Sequence, residues 1–210
     1  MTTMIDIPSP DFHESTPESA SARVGMTLAD YLKRIAAGES FEIVAGRVIS
    51  MRPSVSGHIR IIKRVFLLLN AYAEQNHLGE VFSDMTYTSK PANDPAWITG
   101  SMTPDVAFIS QSRLSEQPNT PESAKEPFSV VPDLTVEVLL PNDNYPLALV
   151  KAAQYLIDGV RVIWLINFER KIVTVCYADR APQSVSGDQL LSADPALPGW
   201  SMPVAGLFSN

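Results

Sequence analysis

Two acidic residues lie in or beside apolar segments that have the pattern of β-strands. Asp105 directly precedes Val-Ala-Phe-Ile, and Glu137 lies in the middle of Leu-Thr-Val-Glu-Val-Leu-Leu. A carboxylate inside a buried strand is unfavourable unless a cation offsets its charge. That cation is either a metal ion or a lysine, and Lys151 lies in the segment that follows. Two strand carboxylates and a lysine indicate metal-assisted hydrolysis of a phosphodiester.

Strand alternation indicates which acidic side chains share a face. Asp133 and Glu137 point to the same side of their strand, because side chains alternate with a period of two. Asp133 follows Pro132 at the start of the strand, where we expect a solvated carboxylate, whereas Glu137 has no such access to water. If the two acidic strands are neighbours, Asp105 and Glu137 can converge on one Mg²⁺, which takes one or two carboxylates together with waters and a phosphate.

Each of these residues also has a purely structural explanation. Lys151 can be an ordinary surface lysine, Glu137 can be half of a structural ion pair, and Asp105 can be a turn residue at the start of a strand. In the functional interpretation, Lys151 stabilises the pentavalent phosphate or orients the attacking water. Tyr155 lies one helical turn further along the same face as Lys151.

Two further residues are candidates of lower rank. Glu42 is an acid in an apolar strand context, and His58 opens a long helix that continues with Arg60, Lys63 and Arg64. The three basic residues have helical spacing and could contact a phosphate backbone, but a solvated helix face explains them slightly better. A histidine in the first turn of a helix is more often a capping or packing residue than a ligand.

The elements that would position these residues follow from the apolar periodicity. Thr27 suits the N-cap of a first helix that ends near Gly38, and a turn at Gly46 joins two short strands. Cap residues at 54–57 precede a longer helix with the apolar stripe Ile59, Ile62, Phe66, Leu69 and Ala73. We also predict strands at 80–88, 106–109, 134–140, 161–167 and, as the last strand, 172–177; a helix at 147–157; a projecting loop at 90–103; and an irregular tail at 190–210. This order predicts an α/β domain with a mixed central β-sheet flanked by helices.

Composition limits the class of protein. The chain has 210 residues, of which 45% are hydrophobic and 19% charged, as expected for one soluble globular domain. We predict a flexible N-terminal arm at residues 1–25, which contains three prolines and no apolar period, and a single domain at 26–210. With no secretory signal and no apolar run long enough for a bilayer, we expect a cytoplasmic protein without a membrane partner.

Charge and motifs exclude several functions. The formal net charge of −7 argues against a protein that coats nucleic acid nonspecifically, although a nuclease with a local basic patch is compatible with it. The single cysteine, Cys176, excludes an intrachain disulfide and a Cys-rich zinc site, and we expect it to be a core residue. The absence of a Gly-rich phosphate loop, a nucleophile elbow and a paired-histidine motif weighs against P-loop hydrolases, serine hydrolases and zincins.

Several short motifs occur in a fixed order along the chain. They are Met26–Leu32, Phe41–Gly46, Gly57 with His58, Leu78–Val81, Thr103–Phe108, Pro132–Leu139, Lys151 with Tyr155, Gly159–Trp164 and Leu197–Trp200. In this order they resemble the Uma-type family of restriction endonucleases, within the PD-(D/E)XK nuclease superfamily. The resemblance covers about residues 26–208, which is nearly everything except the arm.

The resemblance implies a restriction-endonuclease-like core that cleaves DNA with Mg²⁺ or Mn²⁺. Asp105 and Glu137 would be the metal ligands, and Glu42 and His58, which match family positions, would complete the site. The superfamily usually has its lysine two residues after the second acid, where this chain has Leu139. In the family the lysine has moved to the following helix, and Lys151 occupies that place. A homodimer would suit an enzyme that makes two cuts.

One motif departs from the family pattern. After the acidic strand the family tends to have Ser-Pro-Ser, and this chain has Leu140, Pro141 and Asn142. The loss of a hydroxyl close to the site bears on catalytic efficiency more than on the fold. The alternative function is therefore a noncatalytic nucleic-acid-binding or protein-assembly module that has retained the nuclease fold.

Overall fold

The computed structural model describes residues 23–51, 53–141 and 143–209. The flexible arm predicted at 1–25 falls almost entirely outside these residues and stays a prediction. The helices are α1 (Leu28–Ala36), α2 (Ser56–Gln75), α3 (Gln111–Leu114), α4 (Tyr145–Asp158) and α5 (Ala205–Phe208). The strands are β1 (Met26–Thr27), β2 (Phe41–Val44), β3 (Arg47–Ser50), β4 (Gly79–Ser83), β5 (Tyr87–Ser89), β6 (Trp97–Ile98), β7 (Gly100–Met102), β8 (Val106–Ser110), β9 (Leu134–Leu139), β10 (Val162–Asn167), β11 (Ile172–Cys176), β12 (Gln183–Ser186), β13 (Leu190–Ser192) and β14 (Ser201–Pro203).

A six-stranded mixed sheet forms the centre of the domain. Its strand order is β12-β11-β10-β9-β8-β4. The β9–β10 pair is parallel, and α4 makes the crossover between these strands, while every other pair in the sheet is antiparallel. The α/β fold with a mixed central β-sheet flanked by helices is thereby confirmed.

The central sheet is covered on both faces. On one face α2 packs against the strands, because strand alternation sends every second side chain of β9 toward it. On the other face α4 packs through Ala152 and Tyr155, together with side chains of β8 and β10. Residues that share the α2 face include Leu69, Val136, Val138 and Trp164, and residues that share the α4 face include Ala107, Ile109, Ile163 and Leu165.

A second sheet of four strands, ordered β3-β2-β7-β5, lies beside the first, and a two-stranded pair joins β1 to β6. The strand predicted at 80–88 is in fact two strands in different sheets, and Asp84 interrupts them with a positive φ of 52°. The projecting loop predicted at 90–103 is wrong, because β6 and β7 lie there and Ile98, Ser101 and Met102 are fully buried. Strands of two or three residues are too short for a period-2 pattern to reveal them.

The long helix is rotated relative to its predicted stripe. Ile59 is exposed, and His58 takes the inward position in its place. The buried side of α2 is His58, Ile62, Val65, Leu69 and Ala73. The capping prediction at 54–57 is also wrong, because Val55 occupies the N-cap position and its side chain makes no cap hydrogen bond. At α1 the predicted cap is confirmed, since the Thr27 hydroxyl accepts a hydrogen bond from the Asp30 N–H.

The chain beyond residue 177 is more regular than predicted. Strand β12 extends the central sheet, and β13 pairs with β14 as a hairpin. Trp200, in the loop of that hairpin, packs on Trp164 with a ring-centroid distance of 5.2 Å. Cys176 is buried in the core, as predicted.

Candidate active site

The two acidic strands are neighbours in the central sheet. Strands β8 and β9 are antiparallel, and Val106 pairs with Val136. One step further along the same register sets Asp105 opposite Glu137. The Val138 N–H donates a hydrogen bond of 2.6 Å to Oδ2 of Asp105, which fixes that carboxylate against β9. The condition on which a shared metal site depended is therefore met.

Lys151 reaches the acids from α4. Its Nζ lies 2.9 Å from Oε1 of Glu137 and 2.9 Å from Oε2 of Glu42. Only 20% of the Lys151 side chain is exposed, so the explanation as an ordinary surface lysine does not hold. The helix begins at the Asn144 cap, and Lys151 lies beside Ala152 and Tyr155, the residues of α4 that are buried against the sheet.

Glu42 and Tyr155 complete the surroundings of this lysine and of Glu137. The backbone N–H of Thr103 donates to Oε1 of Glu42 at 2.7 Å, which leaves Oε2 for Lys151. The hydroxyl of Tyr155, one turn along α4, donates to Oε1 of Glu137 at 2.5 Å. Lys151 and Tyr155 thus bind the same oxygen of Glu137, and no described residue hydrogen-bonds to Oε2.

His58 lies on the other side of Asp105. Because α2 turns this residue inward, its side chain is buried and Nε2 lies 3.3 Å from Oδ2 of Asp105. Burial lowers the pKa of His58, but the Asp105 carboxylate outweighs it and the pKa is raised overall. The expectation of a simple cap or packing residue is corrected, whereas Arg60 and Lys63 are exposed, as expected for a solvated face.

The electrostatics of the site reflect burial of several charges together. Burial, with the charges of Asp105 and Glu42, raises the pKa of Glu137 to about 7, against the opposing effects of Lys151 and the Tyr155 hydrogen bond. Burial also lowers the pKa of Lys151, but the two carboxylates beside it reverse that effect and raise the pKa above its usual value.

All five predicted site residues line one cavity of about 640 Å³. Sequence reasoning missed a sixth, Asp84, which lines the same cavity from the break between β4 and β5. Burial and the Asp105 charge raise the pKa of Asp84. The signal that could have located it is weak: aspartate tolerates a left-handed conformation, so Ser-Asp inside an apparent strand is consistent with a break.

The donor set fits a magnesium or manganese ion. Among the described residues there is no group of three or more His, Cys, Asp or Glu side chains placed to hold a metal. Two carboxylates are enough for Mg²⁺, which keeps several waters and also binds substrate phosphate. Oδ1 of Asp105 and Oε2 of Glu137 accept no hydrogen bond from a described residue, so each carboxylate keeps one oxygen for a cation.

The segment that departs from the family pattern borders the cavity. Leu139, at the position where the superfamily usually has lysine, is buried, and Leu140 lines the cavity. The N–H of Leu140 donates to Oδ2 of Asp143 at 2.7 Å, so an aspartate closes the turn after β9. Asn142 lies outside the described residues.

The family follows from a match over most of the chain. Residues 28–205 match the model of Uma2, described as "Putative restriction endonuclease". The chain belongs to the Uma2 family. Recognition of this family from the sequence is therefore confirmed, and a nuclease is the class of enzyme that the family description supports.

A solved structure has the same fold. It is the crystal structure of a protein described as "a putative nuclease belonging to DUF820" from Anabaena variabilis, with a TM-score of 0.71 and 19% sequence identity. The match covers 87% of this chain and 97% of that one. A comparison with curated proteins gave no match. Within the described residues, no helix is both long and apolar enough to cross a membrane.

Proposed function

We propose that this Uma2 protein is a Mg²⁺- or Mn²⁺-dependent endonuclease that hydrolyses phosphodiester bonds in DNA. One observation carries the proposal: Asp105 and Glu137 meet across two adjacent strands, and Lys151 reaches Glu137 from the following helix. Family membership supports the same class of reaction. An ion pair with a purely structural role would not need two carboxylates that each keep an unbound oxygen beside an open cavity.

Asp105 and Glu137 are the residues that would hold the metal. When bound, the ion would polarise a phosphate oxygen and lower the pKa of a coordinated water. The chain prepares the two ligands before any ion arrives. The Val138 N–H and His58 hold one oxygen of Asp105, and Tyr155 and Lys151 hold one oxygen of Glu137. Each carboxylate is thus oriented through one oxygen, and its second oxygen accepts no hydrogen bond from a described residue.

Lys151 would stabilise the additional negative charge that develops on the phosphate in the transition state. Its ammonium group lies between Glu42 and Glu137, so its position is fixed before substrate binds. Preorganised charge of this kind acts more strongly than a charge in bulk water, because only 20% of the Lys151 side chain is exposed. Glu42 acts on the reaction through Lys151 and is a positioning residue, as is His58 through Asp105.

A plasmid-nicking assay tests the proposal. Purified protein is incubated with supercoiled plasmid and Mn²⁺, beside Glu137→Gln at equal concentration and beside wild-type protein with EDTA. We expect open-circular product from the wild type with Mn²⁺ and a rate lower by about 1,000-fold or more in Glu137→Gln, because that variant keeps the shape but loses the ligand charge. Glu80→Gln is the matched control, since Glu80 is an exposed carboxylate of the same sheet.

The assay also distinguishes a nuclease from the alternative function, a noncatalytic binding module. Nicking that persists unchanged in Glu137→Gln would come from a contaminant or another site and would contradict the proposal. If the wild type binds DNA but does not nick any form of it with Mg²⁺ or Mn²⁺, the noncatalytic binding module is the correct interpretation.

A further inference from the structure

The cavity above the acidic residues has two apolar walls. One wall is the β2–β3 hairpin and the residue after it, where Val48 and Met51 are each more than 40% exposed. The other wall is the first half of α4, where Leu147 and Val150 are similarly exposed. Apolar side chains on a surface are common singly, but these four line one cavity together.

Basic side chains are few among the described residues that line this cavity. Among its described lining residues, only Arg47 and Lys151 carry an Arg or Lys side chain, and Lys151 is bound to Glu42 and Glu137. Recognition of a DNA duplex depends on rows of basic side chains that contact the phosphates of both strands. The described residues of the two walls thus offer apolar contact and no row of cations for the phosphates of two strands.

The size of the cavity leads to the same conclusion. Its volume of about 640 Å³ lies within the range of pockets that take small organic ligands, about 300–1,000 Å³. One or two nucleotides have this size. Bases that are not paired present two apolar faces, and a base that has left the stack packs between apolar or aromatic side chains.

We propose that the Val48/Met51 wall and the Leu147/Val150 wall bind unpaired nucleobases, so that the substrate is single-stranded or locally unpaired DNA. The inference rests on the proposed function, because the occupant is identified by the phosphodiester chemistry at the floor of the same cavity. A strand whose phosphate lies at Asp105 and Glu137 brings its neighbouring bases against these walls. A second protein seated on them would cover the site instead.

Binding is measured by fluorescence anisotropy with Ca²⁺ in place of Mg²⁺ or Mn²⁺, so that a cation can hold the phosphate at Asp105 and Glu137, and a gel checks that the probe stays intact. The probes are a short labelled single-stranded oligodeoxynucleotide and the duplex of the same sequence. We expect the single strand to bind about tenfold more tightly or better. Val150→Ser and Met51→Ser, one from each wall, should each weaken single-strand binding by roughly threefold to tenfold, because each removes part of the apolar contact.

Ile157→Ser is the matched control. Ile157 lies on the same helix and the same side as Val150, two turns further along, is 78% exposed and does not line the cavity. We expect it to bind the single strand like the wild type. All three substituted side chains are exposed, so loss of folding does not confuse the result, and circular dichroism checks this.

The outcomes distinguish this inference from the proposed function. If the plasmid is nicked but the duplex binds as tightly as the single strand, the function stands and the inference is wrong. If the single strand binds through Val150 and Met51 but no DNA is cut, the inference stands and the catalytic proposal is wrong. If Val150→Ser leaves DNA binding unchanged and converts a dimer to a monomer by light scattering, the walls are a contact between copies and the inference is overturned.

Discussion

Asp133 and Glu137 share one side of β9, yet the fold treats their charges in different ways. Asp133, directly before the strand, is fully buried. Its Oδ2 accepts a hydrogen bond from the Ser110 N–H, and its Oδ1 lies 3.4 Å from Nε of Arg113 and 3.3 Å from Nε of Arg161. Both oxygens of this acid thus face donors of the protein, Oδ2 through a hydrogen bond and Oδ1 through ion pairs that lack hydrogen-bond geometry.

Glu137 has the opposite arrangement. Two donors, Lys151 and Tyr155, act on one oxygen, and the other oxygen has no described partner although the side chain lines the cavity. The comparison shows that burial of an acid does not by itself indicate a reactive site. What distinguishes Glu137 is that its neutralisation is incomplete on the side that faces the cavity.

After substitution of Glu137 itself, the largest expected effect comes from removal of Lys151, the cation that binds Glu137. In Lys151→Met, the nicking rate should fall by about 100- to 1,000-fold, because the charge that stabilises the transition state is lost. Lys63→Met, on the exposed side of α2, is the control and should nick normally. A Lys151→Met rate within a few-fold of the wild type would remove Lys151 from the mechanism. Circular dichroism establishes that the variant is folded.

Substitution of Asp133 should destabilise the fold without affecting the reaction. In Asp133→Asn, Arg113 and Arg161 lose their shared anion, and the free energy of unfolding should fall by about 2–3 kcal/mol. This value is below that of a fully buried pair, because half of the Arg161 side chain is exposed. Urea denaturation measures it. The nicking rate of the folded variant should equal that of the wild type. A large fall in this rate would mean that Asp133 and its arginines affect the residues around Glu137.

A divalent ion should raise the thermal stability of the protein through Asp105 and Glu137, and not through Asp133. Mn²⁺ at about ten times its dissociation constant stabilises a protein by about 1.4 kcal/mol, which for a chain of this length raises Tm by roughly 3–6 °C. We expect this shift in the wild type and in Asp133→Asn. It should be absent in the Asp105→Asn, Glu137→Gln double variant. A shift that survives in the double variant would place the ion elsewhere.

The smallest expected effect belongs to Tyr155. In Tyr155→Phe, one of the two donors to Glu137 is lost while the ring and its packing remain. Loss of such an outer contact typically weakens metal affinity by about tenfold or more, so the Mn²⁺ concentration that gives half of the Tm shift should rise by about that factor. An unchanged Mn²⁺ titration would show that Lys151 alone orients Glu137.

The sequence was sufficient to predict which candidate residues lie together, where strand alternation and chain order determine the geometry. Asp105 and Glu137 follow from two apolar strands that proved to be neighbours, and Lys151 follows from its place on the next helix. Asp133 shows the limit: we expected it to be solvated, and it is buried, because Arg113 and Arg161 come from elements that local pattern does not connect to it.

The orientation of α2 and the strands β6 and β7 could not be predicted from the sequence for related reasons. Ile59 and His58 are adjacent, and apolarity favours the wrong one as the inward residue, since the charge of Asp105 that makes a buried histidine favourable is distant in sequence. Strands β6 and β7 are stabilised by pairing across long loops, so propensity over two or three residues cannot reveal them.

Helix α4 carries both Lys151 and Tyr155 as one rigid unit, and this has a consequence for protein engineering. An α-helix advances by about 100° for each residue, so one residue inserted within α4 before Lys151 would turn both side chains away from Glu137 if the first turn of the helix kept its place. The part of α4 that precedes Lys151 therefore has a fixed length. Insertions should be placed in loops away from this helix, and chimaeras should exchange β9 and α4 as a single cassette.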